Sequence, residues 1–544
     1  MDKEELEFLT EKVKVLKKYL ESGKLRPNPK LIDSLQRVQF NSDNVDPNTV
    51  DGVVKATANA IYYLHSREEY RKIPLIKVQE KYYEIIETFF KSPYNEMKKN
   101  NVTPHQIAIS MSRQDSIVKA TAKAAPNIFQ GVIEFWKTME PVVSAHLENL
   151  PHLKTLYGGD IFPSYAHNSV VTAGLYSDTV VLPDPIHRIS MLSTIPAEKL
   201  TYYLAKHCLR ALDFKDLALA NLPVPIVVVA PDPFILDDSA QKIITKLGTM
   251  DAKSHLEKLF GKNFSSEQEM EEFLSQIKTP ENLQAEIKDS SRLLFDTDWK
   301  GLPLEEQLKK ADTDNPFAQL RKLNLGKRVE VSIQGRMMQI NEVLYKADKY
   351  SALPFMDAPT SFKYLTWKYE YGLENAKKDS IVNKDSLIIN SLQKSELVWL
   401  GKLPNEVLIE LRKEGALQEL REMLSKGVRD VETASEGDFD MVVEDVTNTL
   451  SEGWLKHRQE LEKVKSGEIK FYGRNVAPFM INGVITFAAG YIRPEYVGSA
   501  INLIQLAAGG KSLVDIYKNF QKLRKEKSNL NKKAMGILFN SIEK

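Results

Sequence analysis

Thr179-Val-Val-Leu-Pro-Asp-Pro185 and Ile226-Val-Val-Val-Ala-Pro-Asp-Pro233 are near repeats, each a β-branched apolar run closed by Pro-Asp-Pro. Val and Ile in a short run favour a buried strand, and proline on both sides of an aspartate stops further ladder pairing. The pattern predicts strands over 179–182 and 226–230 in one sheet, with Pro183 and Pro231 outside the ladder. Between them, Leu200, Leu204, Cys208 and Leu212 recur every four residues. That spacing predicts a helix from about Ala197 to Leu212 that buries the cysteine. Strand, helix and strand at this length form a βαβ unit, which is parallel and right-handed in nearly all cases. The alternation Leu175, Ser177, Thr179 extends the first strand back through Val170 and Val171.

Outward from this element the sequence is helical. Leu6, Leu9, Val13, Leu16 and Leu20 keep helical spacing up to Gly23, and Leu75, Val78, Tyr82, Ile85 and Phe89 do so after Pro74. Thr103-Pro104 and Asp46-Pro47 each pair a capping side chain with a proline suited to the first turn. Ser266 to Glu269 reads as a capping box and Thr279-Pro280 as another helix start. Val329 to Ile333 is either a third strand or the first turn of a helix running to Tyr350. Leu353 to Pro359 reads as loop, and Leu397–Lys426 and Val428–Val464 as charged helices. The fold class predicted is predominantly α-helical and multi-domain (α or α+β), with a small parallel βαβ-like element near residues 170–235. Its divisions are a helical domain over 1–150, a small α/β element over 151–240, a helical middle region over 241–390 and a C-terminal helical domain over 391–544.

Composition narrows the function classes. The 544 residues are 42% hydrophobic and 27% charged, with 74 Lys and Arg against 73 Asp and Glu. Near-neutral charge supplies no global field toward nucleic acid or an acidic membrane. The lone Cys208 excludes an internal disulfide and any multi-cysteine metal centre. The acidic N-terminus lacks the apolar core of a secretory signal, which predicts a cytoplasmic protein. Neither a phosphate-binding Gly-Lys-Ser/Thr loop nor a Gly-x-Gly-x-x-Gly fingerprint occurs, and Gly326-Lys327 lacks the rest of the former.

The Pro-Asp-Pro strands place Asp184 and Asp232 on neighbouring strand ends, where α/β folds put ligands. His187 stands three residues past Asp184, and Asp237-Asp238 open the next helix. Two carboxylates so placed would suit a hard divalent cation; no other cofactor is predicted. The competing reading is structural, with each Asp accepting backbone N–H groups at a turn. His146, His152, His167, His187 and His207 cluster along the chain without the spacing that sets two rings on one helix face. Ser169 and Ser190 lack a nucleophile elbow, and Gly158-Gly159-Asp160 reads as a turn.

At the C-terminus, Val476 to Ile492 holds 17 residues without a charge and Tyr496 to Gly510 another 15, rich in Gly and Ala. Each run is shorter than the roughly 20 apolar residues that span a bilayer. Residues 476–510 are therefore predicted to be a buried helical hairpin, with membrane insertion the disfavoured alternative. The basic helix after it is diluted by Asp515 and Glu526, so nucleic acid is not an expected partner. By elimination the chain reads as a cytosolic sensor or regulatory protein that binds a protein partner or itself, of a kind suited to a bacterial stress or antiphage assembly. Two alternatives stand beside this: a metal-assisted phosphoryl-transfer or hydrolytic enzyme at Asp184 and Asp232, and a membrane-active effector using 476–510.

Overall fold

The computed structural model describes residues 2–150, 152–158, 169–190, 195–233, 238–296, 299, 301–314, 322–356, 359–375, 384–392, 400–401, 403–429, 436–464 and 532–542. Helix predominates, with one small parallel sheet, as the sequence predicts. The chain divides into two compact units, Met1–Lys81 with Phe135–Leu150, and Tyr82–Glu134 with Pro151–Lys544. The hairpin expected over 476–510 lies outside the described residues.

In the first unit, helix α1 (Lys3–Glu21) opens on a capping box between Asp2 and Glu5. Its end is set by Gly23, whose φ of +69° suits a residue without Cβ. Helix α2 (Pro29–Gln36) starts at Asn28, whose side chain accepts the Leu31 N–H. A two-residue antiparallel ribbon follows, β1 (Phe40–Asn41) with β2 (Asn44–Val45). Thr10 on α1 fastens it by accepting the Val45 N–H at 3.0 Å. Helix α3 (Gly52–Tyr70) is capped by Asp51, and Val54, Ala58 and Ile61 close the core on Val13 and Leu16.

Helices α4 (Leu75–Lys99), α5 (Pro104–Ser112) and α6 (Asp115–Asn149) come next. Thr103 and Gln106 cap α5 reciprocally, as expected. The buried line along α4 runs through Val78, Tyr82, Ile86 and Phe90, while Phe89 is 41% exposed. The predicted stripe was therefore one residue out at its end.

Among the described residues the second unit is built on four parallel strands, β3 (Lys154–Gly158), β4 (Thr179–Pro183), β5 (Val227–Ala230) and β6 (Leu353–Met356), in the spatial order β5-β4-β3-β6. The two runs closed by Pro-Asp-Pro lie side by side, with Val180 opposite Val227 and Pro183 opposite Ala230. Pro183 thus lies within the strand, contrary to expectation. The N–H groups of Val180 and Asp184 donate to Ile226 and Ala230 on the β5 side. The alternate Pro183 therefore turns its ring nitrogen toward β3, beyond the last registered pair Leu156 and Val181, and no ladder bond is lost.

Two other expectations change. Residues 169–174 form a short helix, α7 (Ser169–Gly174), rather than the start of β4. Leu353–Met356, read as loop, is the edge strand β6, pairing with β3 from Thr155 opposite Leu353 to Gly158 opposite Met356. The carbonyl of Pro354 points outward to Asn390 Nδ2 at 2.9 Å, so its missing N–H also faces away from β3. Of the two readings of Val329–Ile333, the structure shows the helix, which ends at Tyr350.

Between β4 and β5 run α8 (Pro185–Ser190), α9 (Ala197–Asp213) and α10 (Lys215–Ala218), with Cys208 fully buried on α9 as predicted. After β5 come α11 (Asp238–Phe260), α12 (Glu267–Gln276), α13 (Pro280–Glu286), α14 (Leu304–Asp314) and α15 (Leu325–Lys349). Ser266 accepts the Glu269 N–H, but the Glu269 carboxylate takes the Ser265 N–H, one residue earlier than a capping box requires. After β6 follow α16 (Pro359–Asn375), α17 (Lys384–Ser391), α18 (Asn405–Lys413), α19 (Ala416–Gly427), α20 (Glu436–Val464) and α21 (Ala534–Ile542). Gly415 at φ +67° separates α18 from α19, and extended backbone at Val428 ends α19, so no single helix starts at 428.

Two arginines set the entry to β4. Arg412 on α18 donates to the carbonyls of Gly174 and Ser177, both at 2.7 Å, and Arg421 on α19 donates to Tyr176 O and pairs with Asp178. These bonds satisfy carbonyls released at the end of α7. On the far edge, Asn390 accepts the Met356 N–H and donates to Pro354 O, occupying the ladder positions a fifth strand would take.

Candidate functional site at the carboxyl edge of the sheet

β3, β4, β5 and β6 occur in that order in the chain but lie as third, second, first and fourth. The winding therefore reverses between β3 and β6, and in open α/β sheets the carboxyl ends beside such a reversal are where ligands bind. Asp184 and Asp232 sit directly past the carboxyl ends of β4 and β5, 0% and 1% exposed. The sequence placed both correctly.

Their partners differ from those of a shared cation site. Asp184 Oδ1 accepts the Ile186 N–H and the Tyr82 hydroxyl, each at 2.9 Å. The first closes the turn into α8, as the structural reading expects. The second comes from α4, where burial, reinforced by the Asp184 charge, raises the Tyr82 phenol well above its ordinary range. Asp232 is paired with Lys346 on α15 at 2.7 Å. Lys346 also pairs with Glu342, one turn back on the same helix, and the other oxygen of Glu342 takes Arg188 of α8 at 2.8 Å. The result is an alternating chain, Arg188, Glu342, Lys346, Asp232, whose side chains are 21%, 10%, 8% and 2% exposed. Tyr350, the residue that caps the end of α15, donates to Pro231 O at 2.8 Å. One face of α15 thus pins the end of β5 through two side chains.

His187 lies among these groups, 2% exposed, and its Nδ1 has no hydrogen-bond partner. Burial lowers its proton affinity, the carboxylates of Asp184 and Asp232 pull the other way, and Lys346 adds to the lowering; the net direction is down. The ring is accordingly neutral at pH 7, and its Nδ1 is open to a donor or an acceptor according to tautomer.

The other sequence candidates do not join this cluster. His146 Nε2 contacts Ile73 O in the first unit. His152 is exposed, and His207 is fully buried on α9. Ser190 donates to the His187 carbonyl, and Ser169 begins α7. Gly158 ends β3 against Val343, while Gly159, Asp160, His167 and Asp237 lie outside the described residues, as does the side chain of Asp238. Among the described residues no three His, Cys, Asp or Glu side chains are grouped to hold a metal. Tyr82, Arg188, Glu342, Lys346 and Tyr350 were missed. Glu342 and Lys346 four apart resemble an ordinary surface pair, and only the spacing 342, 346, 350 marks a shared face.

No family model, curated protein or solved structure matches the chain.

Proposed function

We propose that this chain is a sensor or regulatory protein that takes up a small polar ligand at the carboxyl edge of its parallel sheet and signals through a protein partner. The observation that carries this reading is the buried charge cluster past the carboxyl ends of β4 and β5, in a parallel sheet whose winding reverses between β3 and β6. The acidic side chains of the cluster and the open imidazole nitrogen of His187 favour a ligand bearing an amino or other cationic donor group. Catalysis receives less support, because Asp184 and Asp232 are already matched by Tyr82 and Lys346. A divalent cation would have to displace both partners.

The test is thermal melting of the whole protein with amino acids, agmatine, spermidine, Mg²⁺, Mn²⁺, phosphate and ATP. An amine at about 100 times its Kd adds about 2.7 kcal/mol to the site's stability, and the melt should move up by several degrees. The shift should vanish in Asp232→Asn/Lys346→Met. Mn²⁺ acting alone, with loss of its effect in Asp184→Asn, would favour the metal-assisted enzyme instead; phosphate or ATP acting alone would refute the ligand class.

A further inference from the structure

We infer that the outer face of α11 is a docking surface for an acidic amphipathic helix of a partner protein. At 100° per residue, Ile243, Leu247 and Met250 share one line along this helix, and they are 57%, 37% and 56% exposed. Lys242 and Lys246 run along one flank of that line, both exposed, and neither makes an ion pair among the described residues. From Ser239 to Met250 the helix carries no Asp or Glu. The other flank is the packing face, where Ala240, Ile244, Ala252 and Leu256 are buried and Asp251 is held by Lys368 and Asn341. A strip of three apolar side chains beside two uncompensated lysines thus stands on a helix that cannot roll.

Charge complementarity selects the occupant. A helix with apolar residues at i, i+4 and i+7 and carboxylates along one flank meets both features at once. A lipid surface is the poorer fit: interfacial helices bury a broad apolar face, whereas this one offers a line about 10 Å long. So short a contact makes weak, exchangeable binding, as suits a regulatory partner. This surface deepens the sensor reading given above and rests on it, yet it lies outside the Asp232 and Lys346 cluster.

The experiment uses the full chain and a fluorescent synthetic helix with Leu at i, i+4 and i+7 and Glu along one flank, read by anisotropy at about 50 mM salt. Micromolar binding is expected, weakened at least tenfold by Lys242→Glu/Lys246→Glu and by Leu247→Ser. A peptide with Lys in place of Glu should bind the charge-reversed variant and not the native chain. Equal binding of both peptides to the native chain, or no effect of the lysine reversal, would overturn the inference. So would sedimentation with phosphatidylserine vesicles that depends on Leu247, or a self-association lost in Leu247→Ser. Because these variants leave the carboxyl-edge cluster intact, an unchanged amine-induced melting shift separates failure here from failure of the ligand reading.

Discussion

Asp232 and Lys346, 114 residues apart in sequence, meet at 2.7 Å with both side chains almost wholly out of water. A buried ion pair is close to neutral when replaced whole, but removing one partner leaves an uncompensated charge that costs about 3–5 kcal/mol. Lys346→Met removes the ion-pair partner of Asp232 and leaves Glu342 held by Arg188 alone among the pairs described. It should lower the apparent melting temperature clearly, and Asp232→Asn/Lys346→Met should recover part of the loss. A single variant that melts like the native protein would show that the pair is not buried.

Asn390→Leu should loosen the free edge of the sheet. The substitution removes the bonds to Met356 N–H and Pro354 O, and a buried group left unpaired costs about 1–3 kcal/mol. Hydrogen exchange at the Met356 amide should accelerate while that of Val181, inside the sheet, changes much less.

Acid should destabilise the second unit through its buried histidines. Burial pushes His207 down to about 3 and His255 down to about 4. His255 donates from Nε2 to Arg292 O and accepts from the Tyr371 hydroxyl at Nδ1, an arrangement that needs the neutral ring. With the folded values depressed, the unfolded chain binds more protons below its own value of about 6.5. Stability is then full above about pH 6.5 and falls by about 1.4 kcal/mol per pH unit for each histidine until its folded value is reached. Melting between pH 7 and 4.5 should show this slope, and His255→Gln should flatten it.

Two glycines on α15 should respond with opposite sign. A Cβ at Gly326 would lie 2.1 Å from the Leu274 carbonyl oxygen, backbone that cannot turn aside. Gly326→Ala should therefore destabilise by about 1–3 kcal/mol or more. Gly335 meets nothing within 4 Å, so Gly335→Ala should stabilise by about 0.5–1 kcal/mol through the better helix propensity of alanine. Paired melting curves decide both.

Cys208 should resist thiol reagents in the native protein. Its side chain is 0% exposed, and burial together with the nearby Asp184 charge raises the thiol well above its ordinary range. Labelling that appears only with denaturant is the expected result. Rapid native labelling would contradict the packing of α9.

What the sequence determined by itself was local. The β-branched runs before Pro-Asp-Pro specified β4 and β5, the spacing of Leu204, Cys208 and Leu212 specified α9, and Asp184 became the turn cap its flanking prolines allow. Those features depend on residues within a few positions of one another. The tertiary structure decided the rest. Leu353-Pro-Phe-Met356 reads as loop until β3 on one side and Asn390 on the other satisfy its backbone, and without that strand the winding reversal does not exist. Glu342 and Lys346 look like a solvated helix pair until α15 is laid over the strand ends and water is excluded. Burial turns such a pair from a minor surface contact into the centre of a charged cluster, and burial depends on the packing of distant segments rather than on any local pattern.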